Sequence, residues 1–124
     1  MAKIKGKDTK PEMVVRRLAH GLGFRYRLHA RDLPGHPDLV FPRLKRIIFV
    51  HGCFFHRHGC KRGTSTPRTN AGFWRKKLEG NQARDRRNIG TLRRRGWKVL
   101  VVWECQTGEA DRLADRIRDF LTST

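Results

Sequence analysis

Acidic residues are scarce in this chain: 11 Asp and Glu stand against 29 Lys and Arg, a formal charge of +18. So lopsided a balance favours polyanions as partners, with nucleic acid first. A basic structural protein of the ribosomal kind is the bland alternative. Cysteine is also sparse, with three in the chain, too few for a disulfide-built secreted scaffold. Such cysteines read as thiols or metal ligands. No apolar run is long enough to cross a bilayer, and MAKIKGKDTK lacks the apolar core of a secretory signal. A cytoplasmic location without membrane contact is therefore expected. Internal repeats and low-complexity segments are missing too, and the length predicts one domain, residues 1–124, around one modest core.

What is present falls into an alternating pattern. Thr9, Pro11 and Glu12 read as a helix start with a capping box, and Met13, Val14, Leu18 and Leu22 recur at helical spacing up to Gly21 and Gly23. Residues 24–28 alternate apolar and basic side chains as a half-buried strand does. The turn Leu33-Pro34-Gly35-His36-Pro37 leads into Asp38 and the run Leu39-Val40-Phe41. Pro42 to Lys45 then predict a hairpin connection into a strand over 46–50. Residues 61–69 read as a basic loop. From Asn70 to about Arg95 the pattern is helical and strongly basic, read as two helices broken near Gly80-Asn81 and capped by Gly96. Residues 97–103 are nearly continuously apolar, as central parallel strands are, and a last amphipathic helix covers about 110–121. The expected architecture is α/β, a mixed central sheet flanked by helices.

Three groups of residues carry chemistry. Cys53, His58 and Cys60 fall within eight positions, and Cys105 is the remaining cysteine; together they form a Cys3His set of the structural Zn2+ kind. The competing reading makes them thiols packed as small hydrophobes. Asp38 opens one strand and His51 closes the next, an arrangement that can hold a hard cation such as Mg2+ beside a phosphate while a neutral imidazole takes a proton. Taken alone, Asp38 is equally a turn or cap aspartate. Glu12 is explained by the capping box or by orienting an imidazole across the site, and Glu104 has no decided role. Finally, Phe54 and Phe55, and Phe73-Trp74 followed by Arg75, Lys76 and Lys77, interleave aromatic and basic groups in a way that suits bases as well as phosphates. Ordinary core packing is the competing reading for some of these rings.

DTKPE (8–12), LPGHPDLVF (33–41), IFVHGCFFHRHGC (48–60), FWRKKLxxN (73–81), RD (84–85) and GWKVLVVWEC (96–105) together resemble the very-short-patch-repair (Vsr) mismatch endonucleases, over nearly the whole chain. The resemblance implies a restriction-endonuclease-like fold of the PD-(D/E)xK type with a structural zinc site. It also implies a Mg2+-dependent nick in double-stranded DNA beside a T·G mismatch, the lesion left by deaminated 5-methylcytosine. On matching positions Asp38 would bind Mg2+, with the backbone carbonyl of Val50 as a further ligand. His56 would be the general base assisted by Glu12, and His51 would lie near the scissile phosphate. Cys53, His58, Cys60 and Cys105 would hold zinc, and Phe54, Phe55 and Trp74 would form the aromatic wedge. A monomer acting with mismatch-repair proteins is expected. Val50 stands where some members have Thr, Phe55 where they have Trp, and His36 where a basic residue is often seen. Less sequence precedes the first of these segments than in family members. A related nuclease for undamaged or branched DNA, and a non-catalytic zinc-stabilised DNA-binding module, are the alternatives.

Overall fold

The computed structural model describes residues 10–123 apart from 29, 31 and 53–68. Helix α1 (Lys10–Gly21) is followed by strands β1 (Arg27–Leu28), β2 (Leu39–Phe41) and β3 (Arg46–His51). Helix α2 (Ala71–Arg94), strand β4 (Lys98–Trp103), a single 3-10 turn (Glu104–Gln106) and helix α3 (Ala110–Thr122) complete the order. The sheet runs β1-β2-β3-β4, with the first two pairings antiparallel and β3 parallel to β4.

Strand alternation divides the apolar residues between two cores. Leu39, Phe41, Ile48, Leu100 and Val102 face Val15 and Ala19 of α1 and Leu113, Ile117 and Leu121 of α3. Val40, Ile47 and Phe49 face the other way, onto Leu92 of α2, with Ile89, Trp97, Val99 and Val101 packed around them. The mixed sheet with helices on both faces is thus the architecture expected from the sequence.

Three expectations need correction. Residues 71–94 form one unbroken helix. Glycine inside a helix costs only about 1 kcal/mol relative to alanine, and Leu78 and Leu92 are both buried, so Gly80 is carried through rather than used as a break. The strand expected over 24–28 shrinks to a two-residue ladder, because β2 offers only three residues before Pro42 turns the chain. Among the described residues β4 is an edge strand and only half-buried, although it pairs in parallel along its whole length. Its apolar run reflects helices packed on both faces rather than a central position.

Two local devices close the elements. Gly96, at φ +93°, ends α2 in a Schellman arrangement: its N–H donates to the Arg93 carbonyl and the next N–H, of Trp97, to that of Leu92, each at 3.1 Å. Arg46 is nearly buried at the start of β3, and its guanidinium donates to the carbonyls of Leu44 (2.7 Å), Phe120 (3.1 Å) and Ser123. A cation there satisfies the last carbonyls of α3 and suits the negative end of that helix.

Candidate active site

The β2–β3 hairpin brings its two open ends together, and α1 lays its first turn over them. Leu39 pairs with Ile48, so Asp38 lies alongside the end of β3, where its Oδ2 accepts a hydrogen bond from the Val50 N–H at 2.6 Å. The preceding turn aims it. Gly35 and His36 both adopt left-handed backbone, at φ +78° and +48°, and Ala30 N–H donates to the Pro37 carbonyl at 3.2 Å. A Cβ on Gly35 would lie 3.1 Å from Asn88 Cβ and 3.2 Å from Phe49 Cε1. Gly35→Ala therefore meets both an unfavourable φ and a packed neighbour, and should cost roughly 1–3 kcal/mol. Thermal unfolding should show that loss, together with a fall in activity from the displaced Asp38; an unchanged midpoint would contradict the role given to this turn.

Glu12 lies across from Asp38. It is 5% exposed, and a hydrogen bond joins the two carboxyl groups. The Asp38 carboxyl is pushed up from 3.8 to about 7, chiefly by burial and further by the charge and hydrogen bond of Glu12. The Val50 N–H and the Arg16 guanidinium pull it the other way. Arg16, one turn along α1, sits 3.4 Å from Glu12 Oε2. It belongs to the site but went unnoticed in the sequence, where the only signal was its i, i+4 spacing from Glu12.

His51, the last residue of β3, is 6% exposed. Its ring packs against those of Phe49 (centroids 5.4 Å apart) and Trp103 (5.2 Å, nearly edge-on at 75°). Trp103 is its partner in the final rung of the β3–β4 ladder. Val50 is half-buried, with its side chain against the α1–α3 core. Cys105 is exposed on the 3-10 turn beyond β4. Cys53, Phe54, Phe55, His56, His58 and Cys60 lie outside the described residues. Among the described residues, no three His, Cys, Asp or Glu side chains are grouped to hold a metal ion.

The aromatic and basic residues of α2 occupy its first two turns. Phe73 is 62% exposed, Trp74 is half-buried with its ring 5.7 Å from that of Phe73, and Arg75, Lys76 and Lys77 are exposed. Lys77 Nζ lies 5.4 Å above the Trp74 ring. A cavity of about 740 Å³ opens at the other end of the hairpin, between Phe24, Arg25, Tyr26, Arg27, Arg43 and Leu44. None of its lining residues is Asp, Glu, His or Cys, so the carboxyl-bearing end is the one equipped for chemistry.

What that end can do follows from its donors. A buried carboxyl whose charge is opposed by a second carboxyl is a poor anion by itself and a good ligand for a hard divalent cation, which would displace its proton. One carboxylate with backbone and phosphate oxygens is a sufficient set for Mg2+.

A family model described as DNA mismatch endonuclease Vsr matches residues 1–62. Over 121 residues the chain is 46% identical to the type II nicking enzyme V.XorIIP of Xanthomonas oryzae pv. oryzae, covering 98% of this chain and 88% of that protein. It is 43% identical over 106 residues to the type II nicking enzyme V.NmeAIP of Neisseria meningitidis serogroup A (86% and 75% covered). To the DNA mismatch endonuclease Vsr of Escherichia coli it is 40% identical over 115 residues (93% and 73% covered).

Proposed function

As a member of the Vsr family of DNA mismatch endonucleases the chain is a DNA endonuclease, and we propose that it nicks one strand of duplex DNA beside a T·G mismatch in a Mg2+-dependent reaction. The observation that carries this reading is the buried Glu12–Asp38 carboxyl pair at the open end of the hairpin. Asp38, with the Val50 carbonyl, is the place for Mg2+, which when bound supplies positive charge to a scissile phosphate and its leaving oxygen. The chain does the rest. His56 takes the proton from the attacking water, oriented by Glu12, while Arg16 holds Glu12 in place from behind. His51, packed against the rings of Phe49 and Trp103, stands beside the phosphate.

The same reading gives Cys53, His58, Cys60 and Cys105 to a structural zinc within a restriction-endonuclease-like fold. Phe54, Phe55 and Trp74 are the groups that enter the base stack at the mismatch, with Arg75, Lys76 and Lys77 on the flanking phosphates. The exposure of Phe73 and the three basic side chains supports a DNA-facing α2.

A nicking assay with Mg2+ on matched, T·G-mismatched and branched duplexes tests the proposal. The T·G duplex should be nicked about tenfold faster or more than the matched one, the discrimination that one base pair commonly carries. Equal rates on matched and mismatched duplexes would overturn the mismatch preference, and full activity in chelator would overturn the metal dependence.

A further inference from the structure

We propose that Gln106 is a positioning residue for His51, acting through Trp103. This rests on the reading that places His51 at the scissile phosphate. The final rung of the parallel ladder joins His51 to Trp103, and beyond it the chain leaves the sheet at once into the 3-10 turn. A strand end of this kind frays unless its last backbone groups find partners. Gln106 supplies one. Its Oε1 accepts a hydrogen bond from the Trp103 N–H at 2.9 Å, and the same oxygen accepts a second from Arg116 Nη1 of α3 at 3.1 Å. Thr107 Oγ1 donates to the Glu104 carbonyl at 2.7 Å and closes the same turn.

One oxygen therefore ties the end of β4 to a helix seated firmly on the core, since Leu113 and Ile117 on either side of Arg116 are buried. What the tie fixes is Trp103, whose ring packs nearly edge-on against the His51 imidazole from the neighbouring strand, while Phe49 packs against it from its own strand. The Trp103 ring is thus one of the groups that set the orientation of the imidazole, and where β4 stops sets the ring. Releasing the Trp103 backbone would loosen the Trp103 ring against the imidazole and widen the range of orientations open to it. Small losses of aim at a reacting group are expensive: a displacement of about 1 Å can cost a hundredfold in rate. The sequence held no hint of this role, because a glutamine three residues past a strand looks like any polar turn residue.

Three variants test the proposal: Gln106→Ala, Gln106→Glu and His51→Ala, each assayed for kcat and KM on a T·G duplex with Mg2+. Only an acceptor oxygen is used at position 106, so Gln106→Glu should keep both hydrogen bonds and stay within about twofold of wild type, whereas Gln106→Ala should lose about tenfold in kcat with KM nearly unchanged. The His51 ring-proton resonances, shifted by the two flanking rings, should move in Gln106→Ala and return in Gln106→Glu. Should Gln106→Ala fold poorly, Arg116→Ala removes one of the two donors from an exposed position on α3 and should lower kcat in the same sense. Wild-type kcat in Gln106→Ala alongside an inactive His51→Ala would overturn the inference while leaving the reading of His51 intact. Equal impairment of Gln106→Ala and Gln106→Glu, or a loss confined to KM, would also overturn it. Full activity of His51→Ala would remove the reading on which it rests, and the inference with it.

Discussion

Asp38→Asn should abolish Mg2+-dependent nicking and, without divalent cations, make the protein more stable above pH 7. Both effects have one cause. The folded protein holds the Asp38 proton up to about pH 7, while an unfolded chain releases it near 3.8. Below pH 3.8 the group is neutral in both states and costs nothing. As pH rises from there towards 7 the unfolded chain gains a solvated carboxylate that the folded one cannot match, so stability falls across that window and stays low above it. A raised carboxylate pKa therefore destabilises the folded state above pH 7, by about 4 kcal/mol for a shift of this size.

Asparagine escapes the penalty because it does not ionise. Its carbonyl can still accept from the Val50 N–H, and its amide can donate to Glu12 as the protonated acid does. Thermal melts in chelator at pH 5 and pH 8 should show wild type losing stability between the two and the variant losing much less, with a difference of about 5–15 °C at pH 8. Adding Mg2+ should recover part of the deficit in wild type and none in the variant, since a ligand that binds only the folded state stabilises it. Residual nicking at the wild-type rate would remove Asp38 from the mechanism. A variant no more stable than wild type at pH 8 would show that the carboxyl pair is not held as described. Stability given up to hold an unwelcome charge where a metal is needed is the usual bargain at a catalytic site.

The carboxyl pair also marks how far the sequence could be read. The strand over 46–50, the Pro42 hairpin and the Pro-Asp turn were legible because each rests on a local signal: an apolar run, a fixed φ, a turn dipeptide. Asp38 at the head of one strand and His51 at the foot of the next followed from the hairpin. What joins Glu12 to Asp38 is tertiary, the angle at which α1 crosses the sheet, and no spacing encodes it. Arg16 and Gln106 were invisible for the same reason, as were the three carbonyls gathered by Arg46, two of which belong to the far end of the chain. The continuity of α2 went unread for another reason: a glycine permits a break without requiring one, and burial of Leu78 and Leu92 decides the matter. The tight cluster from Cys53 to Cys60, which dominates the sequence, lies outside the described residues, so its assignment rests on its own pattern and on the family.

Cys105→Ser is the experiment that reaches that cluster from the described side. A buried thiol packed as a small hydrophobe was the competing account of the cysteines, and exposure of Cys105 on the turn beyond β4 leaves that account little to explain there. The ladder between β3 and β4 ends at His51 and Trp103, so the chain leaves for residue 53 from the same end of the sheet that presents Cys105. A Cys3His zinc formed there would staple the long connection after β3 to the exit of β4, and a cross-link of that kind helps most where the core is small. Purified wild type should carry about one zinc per chain, and Cys105→Ser should lose it. The accompanying loss of stability should be large, about 4 kcal/mol where free zinc stands about a thousandfold above its dissociation constant. The two cores do not include Cys105, so far-UV circular dichroism should stay largely helical while the melting midpoint falls. Because Phe54 and Phe55, two of the three aromatic groups proposed to enter the DNA, lie between Cys53 and His58 in the sequence, T·G duplex affinity should fall with the zinc, whereas Asp38→Asn should leave that affinity in place. Wild-type protein that is fully folded and free of zinc would overturn the metal site, and Cys105→Ser with normal zinc content would move Cys105 out of it.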